Sequence, residues 1–154
     1  MERIGAVQAR VDRIVAGQTE AIDIKVGYVH LYSVPQACAL LAMKRQENVE
    51  LAAIAGLLHD IYAYKTGART DHAHQGAVLA KEIMQDTGWF SEEEMETIAG
   101  AIYHHSDKDR VDSPFDEVLK DADALQHWLI MPLAEPAPHE AARVSKIKKE
   151  LSLE

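Results

Sequence analysis

The sequence predicts an all-α fold, a single bundle of about six to seven helices. Apolar residues recur every three or four positions along most of the chain, which is the period of an amphipathic helix. No stretch alternates apolar and polar residues as a half-buried strand does, and there is no internal repeat. The 154 residues, of which 47% are hydrophobic, provide enough apolar surface for one buried core.

The first two helices are predicted at about residues 2–16 and 22–46. Gly17 ends the first helix, as glycine often does after a last helical turn. The apolar face of that helix consists of Ile4, Val7, Val11, Ile14 and Val15. Pro35 lies inside the second helix, where its missing amide donor should kink the helix or split it in two.

The third and fourth helices each follow a polar residue that is typical of an N-cap. Asn48 is the predicted cap of the third helix, which should end near a loop at residues 62–69. Asp71 is the predicted cap of the fourth helix, which Gly88 closes. Their apolar faces consist of Leu51, Ile54, Ala55 and Leu58 in the third helix and of Val78, Leu79 and Ile83 in the fourth.

The fifth and sixth helices have the clearest start signals in the chain. Ser91 and Glu94 form a capping box for the fifth helix, whose apolar residues begin at Met95. Ser113 and Pro114 begin the sixth helix in a similar way, because proline is favoured in the first turn. Pro132 should end that helix.

A proline-rich link at residues 132–138 is the one candidate boundary in the chain. A last amphipathic helix is predicted after it, at about residues 139–151. We therefore expect a single domain over residues 1–154, with its core at about residues 22–131 and the amphipathic helix at its C-terminal end.

Composition excludes several classes of function. A net charge of −9 disfavours nucleic acid as a partner, because phosphate binding needs a positive surface. Cys38 is the only cysteine, so neither an internal disulfide nor a thiolate-rich metal site is expected. There is no secretory signal pattern and no run of about 20 apolar residues, so we expect a cytoplasmic protein with no membrane partner.

The histidines carry the functional information. The chain has eight, and several lie on or beside the apolar face of a predicted helix. His30 shares a face with Val26 and Val34, and His105 continues the line of Ile98 and Ile102. A single buried histidine is usually satisfied by hydrogen bonds within the core, but several on converging faces favour a shared site. The other inward candidates are His59, which Asp60 follows, and His72.

The sequence resembles the HD-domain superfamily of metal-dependent phosphohydrolases between about residues 28 and 128. That pattern consists of one His, a His–Asp pair at the end of an apolar helix and a distal Asp. The resemblance implies that His30 is the first metal ligand and that "LLHD" provides His59 and Asp60. Helical periodicity leaves Asp121 and Asp123 equal as the last ligand, whereas the spacing typical of the superfamily selects Asp123.

Members of the superfamily that bind two ions have two more histidines between these ligands. By resemblance these are His72, four residues before a glycine in "HxxxGA", and His105, with His104 as the alternative. Asp60 would then bridge the ions, since a carboxylate offers two oxygens, and it is the residue we expect to be catalytic. The expected cofactor is one or two divalent ions of Fe, Mn, Co, Ni, Zn or Mg, which would activate a hydroxide for attack on phosphorus.

The expected substrate is a small phosphate ester, with a nucleotide favoured. Lys65 and Arg69, in the loop after the His–Asp pair, are the predicted phosphate-binding residues, ahead of Lys108 and Arg110. A di-iron oxygenase with the same ligand types and a ligand-binding module without turnover are the alternatives. The sequence leaves a homo-oligomer open.

Overall fold

The computed structural model describes residues 2–153, without the side chains of Ala21 and Ile22. The first and last residues of the predicted domain, Met1 and Glu154, lie outside the described residues. Within residues 2–153 there are eight helices and no strand, so the predicted all-α fold is confirmed. The helices are α1 (Glu2–Ala16), α2 (Ala21–Arg45), α3 (Val49–Leu58), α4 (Ile61–Thr66), α5 (His72–Thr87), α6 (Glu92–His104), α7 (Pro114–Ile130) and α8 (Ala141–Glu150).

Helix α4 is the element that the sequence did not predict. The expected loop at residues 62–69 begins as this six-residue helix, which starts directly after Asp60. Ile61 and Ala63 are buried and attach the helix to the core, and Gly67 ends it in the left-handed conformation. A helix of fewer than two turns is too short to show the apolar period on which the prediction depends.

Pro35 does not split the second helix. Helix α2 runs without interruption from Ala21 to Arg45. Pro35 instead lies against Gly56 of α3, where an added Cβ atom would come within 2.8 Å of the Pro35 Cα atom. The proline ring therefore lies at a close α2–α3 crossing that only a residue without a side chain permits.

The core draws buried side chains from all eight described helices. Helix α2 packs against α3 and α7, α5 against α6, and α6 against both α3 and α7. The segment Asp23–Arg45 is long and apolar enough to cross a membrane, contrary to the sequence expectation, but length and composition are weak evidence. Leu31, Val34 and Leu41 of this segment are fully buried against the other helices, so α2 is a core helix.

Two local expectations for α5 are wrong. Asp71 precedes the helix, but its backbone is left-handed with φ of 59°, and its side chain makes no capping hydrogen bond. Side-chain capping requires an extended backbone at this position; the Asp71 carboxylate instead accepts a hydrogen bond from Gln75. Val78 is more than half exposed, so the core-facing side of α5 is formed by Leu79 and Ile83 with the small residues Ala73, Gly76, Ala77 and Ala80.

Candidate metal centre

The six predicted metal ligands converge from five parts of the fold. His30 lies in the middle of α2, and Asp123 in the middle of α7. His59 and Asp60 follow the last residue of α3. His72 begins α5 and His105 directly follows the last residue of α6, on the other side of Asp60.

One half of the centre consists of His30, His59, Asp60 and Asp123. The Nε2 atoms of the two histidines are 3.0 Å apart. Asp60 Oδ2 lies 3.5 Å from His30 Nε2 and 3.7 Å from His59 Nε2. Asp123 Oδ1 lies 3.6 Å and 3.5 Å from the same two nitrogens. Each of the two oxygens therefore lies within 3.7 Å of both nitrogens.

The other half consists of His72, His105 and the second oxygen of Asp60. Asp60 Oδ1 is 3.2 Å from His72 Nε2 and 3.4 Å from His105 Nε2. The two nitrogens are 3.2 Å apart, and the hydroxyl of Ser106 lies 3.2 Å from His72 Nε2. The two oxygens of Asp60 thus face two different pairs of imidazoles.

The outward nitrogens of three rings are held by backbone carbonyls. The Nδ1 atoms of His59, His72 and His105 lie 2.7 to 2.8 Å from the carbonyl oxygens of Gly56, Arg69 and Ile102. Because a carbonyl only accepts, each Nδ1 carries a proton, and each neutral ring presents its Nε2 lone pair to the centre. This orientation is typical of metal-binding histidines.

The centre has the donor set that a cation requires. Asp60 Oδ1 and Asp123 Oδ1 are buried without any hydrogen-bond partner among the described residues. Buried polar atoms are nearly always paired, and here the nearest neighbours are the Nε2 atoms of imidazoles at 3.2 to 3.6 Å. Divalent ions between these nitrogen and oxygen atoms would satisfy all of them, so the residues fit a two-ion site.

Two glycines bring the ligand-bearing helices close enough together. At Gly56, the close approach of Pro35 places His30 of α2 beside the C-terminal end of α3, where His59 lies. At Gly76, an added Cβ atom would lie 3.3 Å from the His59 carbonyl oxygen, so α5 packs directly against the His–Asp pair. The "HxxxGA" spacing thus has a packing reason, since it places His72 one turn from this contact.

The buried charges of the centre influence one another strongly. Burial lowers the pKa of His59, but the carboxylates of Asp60 and Asp123 raise it to about 9 overall. Burial raises the pKa of the Asp60 and Asp123 carboxyls. The charge of His59 nevertheless holds the pKa of Asp60 well below its usual value, and the charge of Lys108 does the same for the pKa of Asp123. Burial lowers the pKa of His105. Both aspartates are therefore ionised and acidic enough to hold a cation at neutral pH.

The structure distinguishes the alternatives that the sequence left open. His105 Nε2 faces Asp60, whereas His104 Nδ1 bonds Asp116 Oδ2 at 2.9 Å. Asp123 points into the centre, whereas Asp121 is fully buried in a separate ion-pair network with Arg45 and Arg143.

Two residues at the centre were not among the predicted ligands. Lys108 Nζ lies 2.6 Å from Asp123 Oδ2, which leaves Asp123 Oδ1 free to face the histidines. Lys108 lies in a loop, where no periodicity indicates direction. His127 Nε2 lies 3.4 Å from Asp123 Oδ1, and its position four residues after Asp123, on the same helix face, was a signal that could have identified it.

A cavity of about 410 Å³ opens onto the centre, and His30, Asp60 and His127 form part of its wall. Arg69, one of the two predicted phosphate-binding residues, lines this cavity, whereas Lys65, the other, lines a different groove with Arg10, Arg13 and Glu82. Lys65 lies in the last turn of α4, whereas Arg69 follows Gly67 in the non-helical segment after the helix, and the two side chains face different grooves. The remaining lining residues are Lys25, Val26, Val29, Tyr64 and Ile130.

Comparison with protein families gives one match. The sequence model described as HD domain matches residues 27–128, which includes all six converging ligands. No curated protein and no solved structure matches the chain.

Proposed function

Because the chain belongs to the HD-domain family, we propose that it is a metal-dependent phosphohydrolase that acts on a small phosphate ester, with a nucleotide as the favoured substrate. The observation that carries the proposal is the placement of Asp60. Its two oxygens face separate histidine pairs, and one of them is buried without a hydrogen-bond partner in the part of the chain that the structure describes. This arrangement is what two ions held 3.5–4 Å apart by a shared carboxylate would need.

His30, His59, Asp60 and Asp123 would hold one ion, and His72, His105 and Asp60 the other. When bound, such ions lower the pKa of coordinated water toward neutrality and stabilise charge on phosphoryl oxygens. Asp60 contributes a carboxylate with one oxygen in each half of the centre, so it fixes the distance between the two halves. The four histidines favour Fe, Mn, Co, Ni or Zn over Mg, because imidazole is a borderline ligand and Mg²⁺ prefers oxygen.

The cavity supports a small organic phosphate as the substrate. Its volume of about 410 Å³ is within the range of small-molecule sites. Arg69 provides a planar guanidinium for a phosphate, and Val26, Val29 and Ile130 provide an apolar wall for the organic part, such as a nucleobase. Arg69 is favoured over Lys108 as the phosphate ligand because Lys108 already pairs with Asp123.

The proposal is tested by hydrolysis assays on metal-free protein that is then loaded with Mn²⁺, Co²⁺ or Zn²⁺. The substrates are p-nitrophenyl phosphate, bis(p-nitrophenyl) phosphate and a panel of nucleotides. We expect metal-dependent release of nitrophenol or phosphate without uptake of dioxygen. Uptake of dioxygen by iron-loaded protein, without hydrolysis, would favour the oxygenase alternative. Metal binding without turnover on any substrate would favour the ligand-binding module.

A pair of variants tests the phosphate-binding residue. Arg69→Ala should raise KM about tenfold or more while the metal content is unchanged, because a charge-assisted hydrogen bond contributes to substrate binding. Lys65→Ala is the matched control, since this lysine lines a different groove. Equal effects of the two substitutions on KM would show that the cavity at Arg69 is not the substrate site. The cytoplasmic location and the nucleotide specificity stay predictions.

A further inference from the structure

His127 lies at the edge of the proposed metal centre and has no part in the ligand set described above. It belongs to α7, one helical turn after Asp123, and its side chain is partly exposed in the wall of the cavity. His127 Nε2 is 3.4 Å from Asp123 Oδ1, compared with 3.6 Å for His30 Nε2 and 3.5 Å for His59 Nε2. Three imidazoles therefore approach this buried oxygen at nearly the same distance.

The ring of His127 is aligned with that of His30. The two rings are parallel to within 5°, with centroids 5.3 Å apart. One ligand atom from each of His30, Asp123 and His127 lies within 4.8 Å of the others, which is close enough for all three to bind one ion.

Glu140 fixes which nitrogen of His127 faces the centre. His127 Nδ1 lies 2.8 Å from Glu140 Oε1, and Glu140 is almost fully buried. A carboxylate accepts hydrogen bonds, so His127 Nδ1 donates its proton to Glu140, and a neutral ring presents the Nε2 lone pair to Asp123. A carboxylate behind a histidine, on the side away from the ion, is the outer contact that orients many metal-binding imidazoles.

Asp123 Oδ1 provides the second, independent observation. Within residues 2–153 it is buried without a hydrogen-bond partner, although the Nε2 atoms of His30, His59 and His127 lie 3.4 to 3.6 Å from it. Two lone pairs that face each other across 3.4 Å repel unless a positive charge lies between them.

We infer that His127 is a further ligand of the ion held by His30, His59, Asp60 and Asp123. The inference rests on the proposed function, because it assumes that this half of the centre binds an ion. Three imidazoles and two carboxylates would favour a borderline dication such as Co²⁺, Fe²⁺ or Zn²⁺ over Mg²⁺. Glu140 is the positioning residue of this ligand, and it lies beyond the part of the chain that the family pattern covers.

The inference is tested by titration of metal-free protein with Co²⁺, in which calorimetry gives the Kd and the visible spectrum reports coordination. A His72→Ala background removes a ligand of the other half, so that the remaining strong site is the one under test. In that background His127→Ala should raise the Kd about 10- to 100-fold and alter the cobalt spectrum, and Glu140→Gln should raise the Kd about tenfold. His139→Ala is the control, because His139 is exposed and approaches Glu140 only to 4.0 Å.

The outcomes separate this inference from the proposed function. An unchanged Kd and cobalt spectrum in His127→Ala, with strong binding in the parent protein, overturns the role of His127 and leaves the metal centre intact. Absence of Co²⁺ binding in the unmodified protein overturns the proposed function itself. The side chain of His127 is 44% exposed and does not belong to the hydrophobic core, so the variant is expected to fold.

Discussion

At the scale of the residue, the centre depends on which atom of each side chain points inward. His104 and His105 are neighbours in the sequence, yet only His105 faces Asp60. The difference arises because α6 ends at His104, and the Nδ1 atom of His105 returns to the Ile102 carbonyl oxygen at 2.7 Å. The same contrast separates Asp123, which faces the histidines, from Asp121, which pairs with two arginines.

The contrast between His104 and His105 gives a matched pair of variants. His105→Ala should reduce bound metal from about two equivalents per chain toward one, because it removes a ligand of only one half of the centre. His104→Ala should leave the metal content unchanged, since that ring bonds Asp116. Elemental analysis after dialysis measures both. A loss of metal in His104→Ala equal to that in His105→Ala would show that the second half of the centre is assigned to the wrong histidine.

Metal affinity should depend on pH through His59. In the metal-free protein the pKa of this imidazole is raised to about 9, so an incoming ion must displace its proton throughout the neutral range. Affinity for Mn²⁺ should therefore increase about tenfold per pH unit between pH 6.5 and 9 and then level off. The pKa values of Asp60 and Asp123 are lowered, so these carboxylates are ionised at every pH in this window and add no slope.

The folding stability of the metal-free protein should change in the opposite direction. A raised pKa in the folded state means that the proton on His59 stabilises the fold below its unfolded pKa of about 6.5, and this contribution is lost as the pH rises toward 9. Calorimetric titrations with Mn²⁺ and thermal unfolding at several pH values measure the two effects. A Kd independent of pH from 6.5 to 9 would be incompatible with a protonated His59.

The ligand types could be predicted from the sequence because histidine and aspartate are rare on apolar helix faces. His30, His59, His72, His105 and Asp123 could therefore be proposed, although Asp123 required the family spacing as well. The contribution of Lys108 could not be predicted, because it comes from a loop whose course depends on tertiary contacts. The separation of Lys65 from Arg69 could not be predicted either, since Lys65 belongs to the short helix α4, whose apolar period the sequence does not show, and Arg69 lies after its end.

At the scale of the element, the spacing of helices α2, α3 and α5 sets the width of the centre. Gly56 and Gly76 mark the two close contacts, between α2 and α3 and between α5 and the His–Asp pair. Capping signals predicted the starts of α3, α6 and α7, because Asn48, Ser91 and Ser113 accept hydrogen bonds from the first turn in each case. The continuity of α2 through Pro35 could not be predicted, since Pro35 packs against Gly56 of α3, which is distant in the sequence.

A substitution at the α2–α3 crossing should disturb both the fold and the metal site. In Gly56→Ala the new Cβ atom would lie 2.8 Å from Pro35 Cα and 3.0 Å from Cys38 Sγ, so one helix must shift. We expect a loss of about 1–3 kcal/mol in the free energy of unfolding, together with weaker metal binding because His59 moves with α3. Chemical denaturation and metal titration measure the two effects.

Gly100→Ala is the control for this substitution. Gly100 also lies inside a helix, but an added Cβ atom meets nothing within 4 Å. Alanine there should be neutral or stabilising by up to about 1 kcal/mol, because it has the higher helix propensity. If Gly56→Ala were as stable as Gly100→Ala, the close crossing would not be a constraint on the fold.

At the scale of the whole molecule, the C-terminal helix connects to the centre through charged groups. Arg143 donates hydrogen bonds to the backbone oxygens of Lys108 and Arg110 and to the carboxylates of Glu117 and Asp121. Lys108, held in this way, contacts Asp123. Buried Lys120 holds the same loop in place. Its Nζ atom donates hydrogen bonds to the carbonyl oxygens of Asp107 and Arg110 and to the carboxylate of Asp112.

Arg143→Ala should therefore destabilise the protein and loosen the loop that carries Lys108. Removal of one partner from a buried charge network costs up to about 3–5 kcal/mol, because Glu117 and Asp121 each lose a positive partner, although Asp121 keeps Arg45. Lys146→Ala is the control, since that side chain is mostly exposed and should change the free energy of unfolding by less than about 1 kcal/mol. Denaturant unfolding gives the energies, and hydrogen exchange reports on residues 106–112. Similar stability of the two variants would mean that α8 is only peripheral.

The central claim is that Asp60 is shared by two metal ions, and the metal content of Asp60→Asn tests it most directly. The amide retains the shape of the side chain but loses the charge that holds a cation. We expect about two equivalents of metal per chain in the unmodified protein, loss of both in Asp60→Asn after dialysis, and no hydrolysis by the variant. Full metal content with ordinary turnover in Asp60→Asn would contradict the account, and the histidines would then be a hydrogen-bonded core.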